Sequence, residues 1–199
     1  MDAAGTIPGP GRCRCRKASL LRLLEPTECR LGELILYVAG CCDGDESFGA
    51  TKLNKILFYA DFIAYARSGE PITGTEYQKL KHGPAPRQLK PVERGLLLRQ
   101  DAVIQERKHF TKVQRRLVPL RDPDLDLFTG SEIAIVDEVI AALRNHNAVQ
   151  VSELSHQLAG WQLAEIGETI PYHTALIPDN DWQPDEEAIR FGAELAAGL

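Results

Sequence analysis

The chain reads as a predominantly helical α+β protein: a compact multi-helix domain with one small antiparallel β-hairpin. Three observations predict this class. Apolar residues recur at helical spacing in successive stretches between Glu28 and Leu158. Two strand-like runs, Val103–Lys108 and Val113–Leu120, are separated by a short connection. Gly, Pro and Asp clusters punctuate the segments between them.

The first helix is predicted over Glu28–Cys41, where Leu31, Leu34, Ile35 and Val38 form one stripe and Asp43-Gly44-Asp45 marks the end. The second covers Ala50–Ser68. Leu53, Ile56, Leu57, Ala60, Ile63 and Ala64 line one face, and Phe58, Tyr59, Phe62 and Tyr65 cover much of the rest. A helix apolar on nearly every side is a central one, packed by several neighbours. Gly69 follows as its C-cap.

Gly83-Pro84-Ala85-Pro86 is expected to open a third helix running to about Arg99, with Leu89, Val92, Leu96 and Leu97 inward. Pro91 lies deeper and should kink that helix or shift its start. The hairpin follows, its strands joined by His109-Phe110-Thr111-Lys112 and closed off by Asp122-Pro123-Asp124. Thr129 and Glu132 have the spacing of a capping box at the head of a helix ending near Asn145. A shorter helix spans Val149–Leu158, Trp161 and Leu163 begin another turn or two, and Asp181–Pro184 starts a last helix to about Ala197. Residues 1–26, rich in Gly, Pro and Arg, read as a weakly ordered basic tail, and residues 27–199 as a single domain.

Composition narrows the function classes. Hydrophobic content of 44% and charged content of 26% are those of a soluble globular protein. No apolar run nears the roughly 20 residues a spanning helix requires, and the N-terminal segment is too broken for a secretory leader. A cytoplasmic, non-membrane protein is expected. Cys13, Cys15, Cys29, Cys41 and Cys42 are odd in number and lack paired C-x-x-C spacing, so neither a disulfide framework nor a metal site is predicted, and the thiols read as reduced bystanders.

Charge is unevenly spread. Residues 79–121 hold 12 Lys/Arg against 3 Asp/Glu, and residues 122–199 hold 2 against 15. Such a bipolar chain can steer a charged partner.

No catalytic constellation stands out. Ser155 and His156 are neighbours on a helix, about 100° apart, and cannot pair as nucleophile and base. His82, His109, His146 and His173 are scattered, and no phosphate loop or cofactor motif is present. The residues point to a non-enzyme without catalytic, cofactor-binding or metal-ligating groups, one that works through its surface. Arg107, Lys108, Lys112, Arg115 and Arg116 on the hairpin are candidate partner contacts. After a helix bearing Arg87, Lys90, Arg94 and Arg99 they also fit a winged-helix-like DNA-binding regulator. Against this stand the acidic C-terminal third and the lack of an Asn/Gln base-reading series.

The stretch Lys52-Leu53-Asn54-Lys55-Ile56-Leu57-Phe58-Tyr59-Ala60-Asp61 resembles the signature helix of the Panacea (SocA-like) antitoxin domain. The likeness continues through Gly69-Glu70-Pro71-Ile72, Tyr77, Lys81-His82-Gly83-Pro84, Arg115–Leu120, Ser152, Ser155-His156 and Trp161, over roughly residues 28–175. Asp101 stands where the family has Gly between helix and hairpin. The resemblance implies a helical domain with a hairpin, in a toxin–antitoxin or phage-associated setting, that neutralises a cognate toxin by binding it. Some members act instead as adaptors delivering a toxin to an ATP-dependent protease. Carried over by motif are Lys52, Leu53, Lys55, Tyr59, Tyr77, Gly83, Pro84, Ser155, His156 and Trp161, as shared architecture or partner contacts. Leu53, Ile56 and Leu57 are expected in the core, and the lysines exposed toward a partner. Partner specificity is expected in residues 107–116 or from Asp179 onward.

Overall fold

The computed structural model describes residues 25–109 and 112–177; the predicted last helix, most of the tail and the tip of the hairpin turn lie outside the described residues. The elements run α1 (Pro26–Cys41), α2 (Ala50–Ser68), β1 (Tyr77–Gln78), β2 (Ala85–Pro86), α3 (Leu89–Leu98), β3 (Ala102–His109), β4 (Lys112–Pro119), α4 (Gly130–Leu143), α5 (Ala148–His156), α6 (Ala159–Leu163) and β5 (Thr169–Ile170). Two 3-10 turns, Leu125–Leu127 and Tyr172–Leu176, complete it. The α+β, mainly helical class predicted from sequence is the class observed.

α2 is the axis of the fold, as its all-round apolarity requires. It touches α1, α4, α5, β2, β4 and the 172–176 turn, and Ile56, Leu57 and Ala60 are inaccessible to water. Burying each large aliphatic side chain contributes about 1.5–3 kcal/mol. Gly69 ends the helix in the left-handed region at φ 80°, its N–H donating to the Tyr65 carbonyl. On the other side, Leu31, Leu34, Ile35 and Val38 of α1 are fully buried. The capping box at α4 is formed, Thr129 Oγ1 accepting from the Glu132 N–H and the Glu132 carboxylate from the Thr129 N–H.

Three features differ from expectation. Ala85–Pro86 does not begin a helix but pairs antiparallel with Tyr77–Gln78, which pairs in turn with Thr169–Ile170, giving a three-stranded sheet in the order β2-β1-β5. Residues ahead of proline disfavour helical backbone, so Ala85 stays extended, Gly83 takes a positive φ of 99°, and α3 starts at Leu89, with Pro91 in its first turn. Pro86 is tolerated because β2 is an edge strand. Second, the left-handed residue between α3 and the hairpin is Gln100 (φ 59°), which leaves Asp101 free to accept from Arg99 and Arg121. Third, Cys41 and Cys42 are free thiols, but Cys29 is disulfide-bonded. The odd cysteine count argued against a framework of several bridges, which does not bear on a single one.

The β3–β4 hairpin pairs in register from Ala102↔Pro119 to His109↔Lys112 and leans on α1, α2 and α3.

Candidate functional site: a buried motif cluster and two surface clefts

Lys52 and Lys55 are not exposed; each is 1% accessible. Both lie on faces of α2 covered by neighbouring segments, and each ammonium reaches the backbone of a different segment. Lys52 Nζ pairs with Asp45 Oδ2 at 2.6 Å and donates to the Arg144 and His146 carbonyls at 2.9 and 2.8 Å. Burial works to raise the Asp45 carboxyl, but Lys52 and Ser47 outweigh it and hold the group below its ordinary value. Lys52 thus ties the α1–α2 turn to the α4–α5 connection.

Lys55 Nζ donates to the Pro84 carbonyl at 3.1 Å. Burial without a compensating charge pushes its ammonium down to about 7. Gly83, at φ 99°, packs so closely that a Cβ there would overlap both Lys55 Nζ and Ser155 Oγ. Ser155 is fully buried and donates to the Ser152 carbonyl. His156 stacks on Trp161 with ring centroids 4.0 Å apart, and Lys79 Nζ stands 4.1 Å over the same indole. Burial, then the charges of Lys55, His82 and Lys79, hold the His156 imidazole below its usual value. The fold therefore gathers Lys55, Gly83, Pro84, Ser155, His156 and Trp161 at the junction of α2, β2, α5 and α6. Ser155 and His156 play separate parts in it, as their helical spacing predicts.

Leu53 is buried. Tyr77, 1% accessible, donates to Asp61 Oδ2 at 2.7 Å, and that carboxylate also accepts from the Thr73 N–H and hydroxyl. Tyr172 joins the group, donating to the Thr75 carbonyl at 2.6 Å. Asp61, Thr73 and Tyr172 were not singled out from sequence; the signal available was a lone acid on an otherwise apolar helix. Tyr59 is half-buried at the edge of α2.

The basic hairpin divides. Arg116 is 1% accessible, its guanidinium donating to the Cys42, Asp43 and Asp45 carbonyls and lying over Phe48. It is a clamp on the α1–α2 turn, so the contact expected of it falls away, because alternate residues of a strand face opposite sides. Arg115, its neighbour, is exposed and pairs with Glu93 at 3.0 Å. Arg107 is exposed and touches Gln105. The side chains of Lys108 and Lys112 lie outside the described residues.

Among the described residues, two clefts on the surface stand out. One, about 400 Å3, is a groove lined by Phe58, Phe62, Ile63, Leu158 and Ile177. The other, about 80 Å3, lies between the hairpin, α2 and α3 and is lined by Phe48, Leu53, Leu89, Ile104 and Leu117. Among the described residues no group of His, Cys, Asp and Glu is arranged to hold a metal, and no helix is long and apolar enough to cross a membrane.

The fold is a mainly helical domain clamped by two buried lysines, with Leu53, Tyr77, Gly83, Pro84 and Ser155 of the motif buried and Tyr59, His156 and Trp161 half-buried. The model of the antitoxin SocA-like, Panacea domain matches residues 53–162, and the chain belongs to that family. The match takes in α2 from Leu53 onward, the hairpin and the Lys55–Ser155–His156–Trp161 cluster. No curated protein and no solved structure matches the chain at the significance applied.

Proposed function

We propose that the protein is an antitoxin that neutralises a cognate toxin by direct contact, acting in the cytoplasm as part of a toxin–antitoxin or phage-associated pair. Residues 27–199 form the working domain in this reading, with residues 1–26 outside it, and the domain performs no catalysis. Family membership over residues 53–162 carries the proposal. Supporting it, the motif residues are spent internally: Lys52, Lys55, Tyr77 and Ser155 are buried. Recognition of one toxin among many then falls to the surface around this buried frame. The basic segment supports a protein partner better than a nucleic acid, since its arginines are largely engaged: Arg116 on carbonyls, Arg115 on Glu93, Arg99 and Arg121 on Asp101. A phosphate backbone would have to compete with each of those contacts.

Co-expression with the product of the adjacent gene tests the reading. If that product alone stops growth, this chain should restore growth and copurify with it. Rescue without a stable complex, and only while an ATP-dependent protease is present, identifies a proteolytic adaptor. A harmless neighbour that does not copurify refutes the pairing.

A further inference from the structure

The larger cleft, about 400 Å3, runs between α2 and α6. One wall is a stripe of α2, Tyr59, Ile63 and Ala66, which recur at helical spacing. The other comes from Leu158 and Ala159 at the head of α6 and from the end of the 172–176 turn. Beneath it lies a second, smaller core built on Phe58, Phe62 and Tyr77. No charged side chain lines the groove, and Arg67, next along α2, is already paired with Glu138. Whatever covers this surface is held by apolar contact rather than by charge.

Ile177, 40% accessible, lines the groove and is also where the described chain ends, so residues 178–199 leave from the groove itself. Their sequence has the spacing of a helix that needs an apolar surface. Ala188, Phe191, Gly192, Leu195 and Leu199 fall on one face, with Ile189 at its edge. Glu187, Arg190 and Glu194 fall on the opposite face. Pro184 suits a first helical turn, and Asp185 beside it complements the positive end of the helix. A lone helix of this length is marginal in water, so its stability has to come from packing of the apolar face. The stripe from Ala188 to Leu195 and the stripe from Tyr59 to Ala66 have the same length, about 10 Å. The link over 178–183 spans up to about 20 Å, enough to bring the segment back across the groove.

We propose that the groove is the seat of this chain's own C-terminal segment, with residues 185–199 lying along it as an amphipathic helix. Phe191 and Leu195 fill the groove, and Ala188 and Gly192 let the helix come close to α2. Covalent attachment favours this occupant over a separate molecule, because a short tether keeps the segment at an effective concentration in the mM range. Glu187, Arg190 and Glu194 then face water as part of the outer surface. The proposal is independent of the antitoxin reading, and no toxin is needed to test it.

Hydrogen exchange of the purified full chain, read by mass spectrometry, is the test. Amides of residues 186–199 should exchange about tenfold or more slowly than those of an unstructured chain. Leu195→Glu places a charge on the apolar face of the segment, outside the described residues. Ala66→Trp fills the groove from an exposed position of α2. Each should return residues 186–199 to within about twofold of the unstructured rate, while peptides from α1 and α4 keep their protection and so report an intact fold. Arg190→Gln, on the opposite face, should leave the protection as it is. If residues 186–199 exchange freely in the unaltered chain, the assignment is overturned. Protection lost in Leu195→Glu but kept in Ala66→Trp puts the segment on another surface and overturns it as well. Protection that disappears on dilution, with the undiluted chain eluting as a dimer, gives the groove to a second copy and contradicts the proposal.

Discussion

Lys55 Nζ lies 3.1 Å from the Pro84 carbonyl oxygen, and Gly83 closes over that contact with no room for a β-carbon. Gly83→Ala therefore meets two penalties, a φ of 99° that side chains resist and an overlap with Lys55 and Ser155. Together they should cost about 2–4 kcal/mol. Urea denaturation should show a lower midpoint with an unchanged slope.

The same lysine makes stability depend on pH. Its folded-state value, about 7, lies below the roughly 10.4 of an unfolded chain. Between these values the unfolded chain holds more protons, so stability rises with pH, by up to about 1.4 kcal/mol per unit. Cys42, pushed up to about 11 by burial, acts in the opposite direction above pH ~8.5. The clean window is therefore about 7 to 8.5. Lys55→Met should flatten the stability–pH curve there. A curve identical to that of the unaltered chain would refute an unpaired buried ammonium.

Arg115 and Arg116 adjoin in sequence but should respond very differently to mutation. Arg116→Ala leaves the Cys42, Asp43 and Asp45 carbonyls without their donor and should cost about 3 kcal/mol or more. Arg115→Ala breaks only an exposed pair with Glu93 and should cost less than about 1 kcal/mol. Thermal melts of the two variants check this.

His156 reports on its cluster. Its imidazole is held below the ordinary value by burial, then by Lys55, His82 and Lys79. Trp161→Ala strips away the stacked indole and should move the value up toward about 6.5. Lys55→Met should move it the same way by removing a like charge. An NMR titration of the imidazole protons reads both; a value unmoved by either substitution would contradict the geometry.

Local signals in the sequence located α2, the Gly69 cap, the Thr129–Glu132 box and the hairpin, because each is written in residues a few positions apart. The three-stranded sheet was not legible: its strands are two residues long, and Tyr77, Pro86 and Ile170 meet only through the tertiary fold. Lys52 and Lys55 illustrate a different limit. Lysine belongs on surfaces by type, and apart from nearby Asp45 and Ser47 their partners are carbonyls of residues 84, 144 and 146, invisible in any local window. The clue was present nonetheless, since a helix apolar all round leaves a lysine no water to face. The Arg115/Arg116 division likewise follows from strand alternation once the hairpin is predicted, although which arginine turns inward depends on the α1–α2 turn beneath it. Of the candidate site, the motif cluster was legible by resemblance. The smaller cleft was not, because its walls come from α1, α2, α3 and both hairpin strands.

The central claim is direct toxin binding, and the most direct measurement uses purified components alone. The full chain and the adjacent gene's product, without protease or DNA, should elute together at a fixed stoichiometry, and the toxin's activity should vanish as that stoichiometry is reached. Separate elution with toxin activity intact, however much chain is added, would contradict the account.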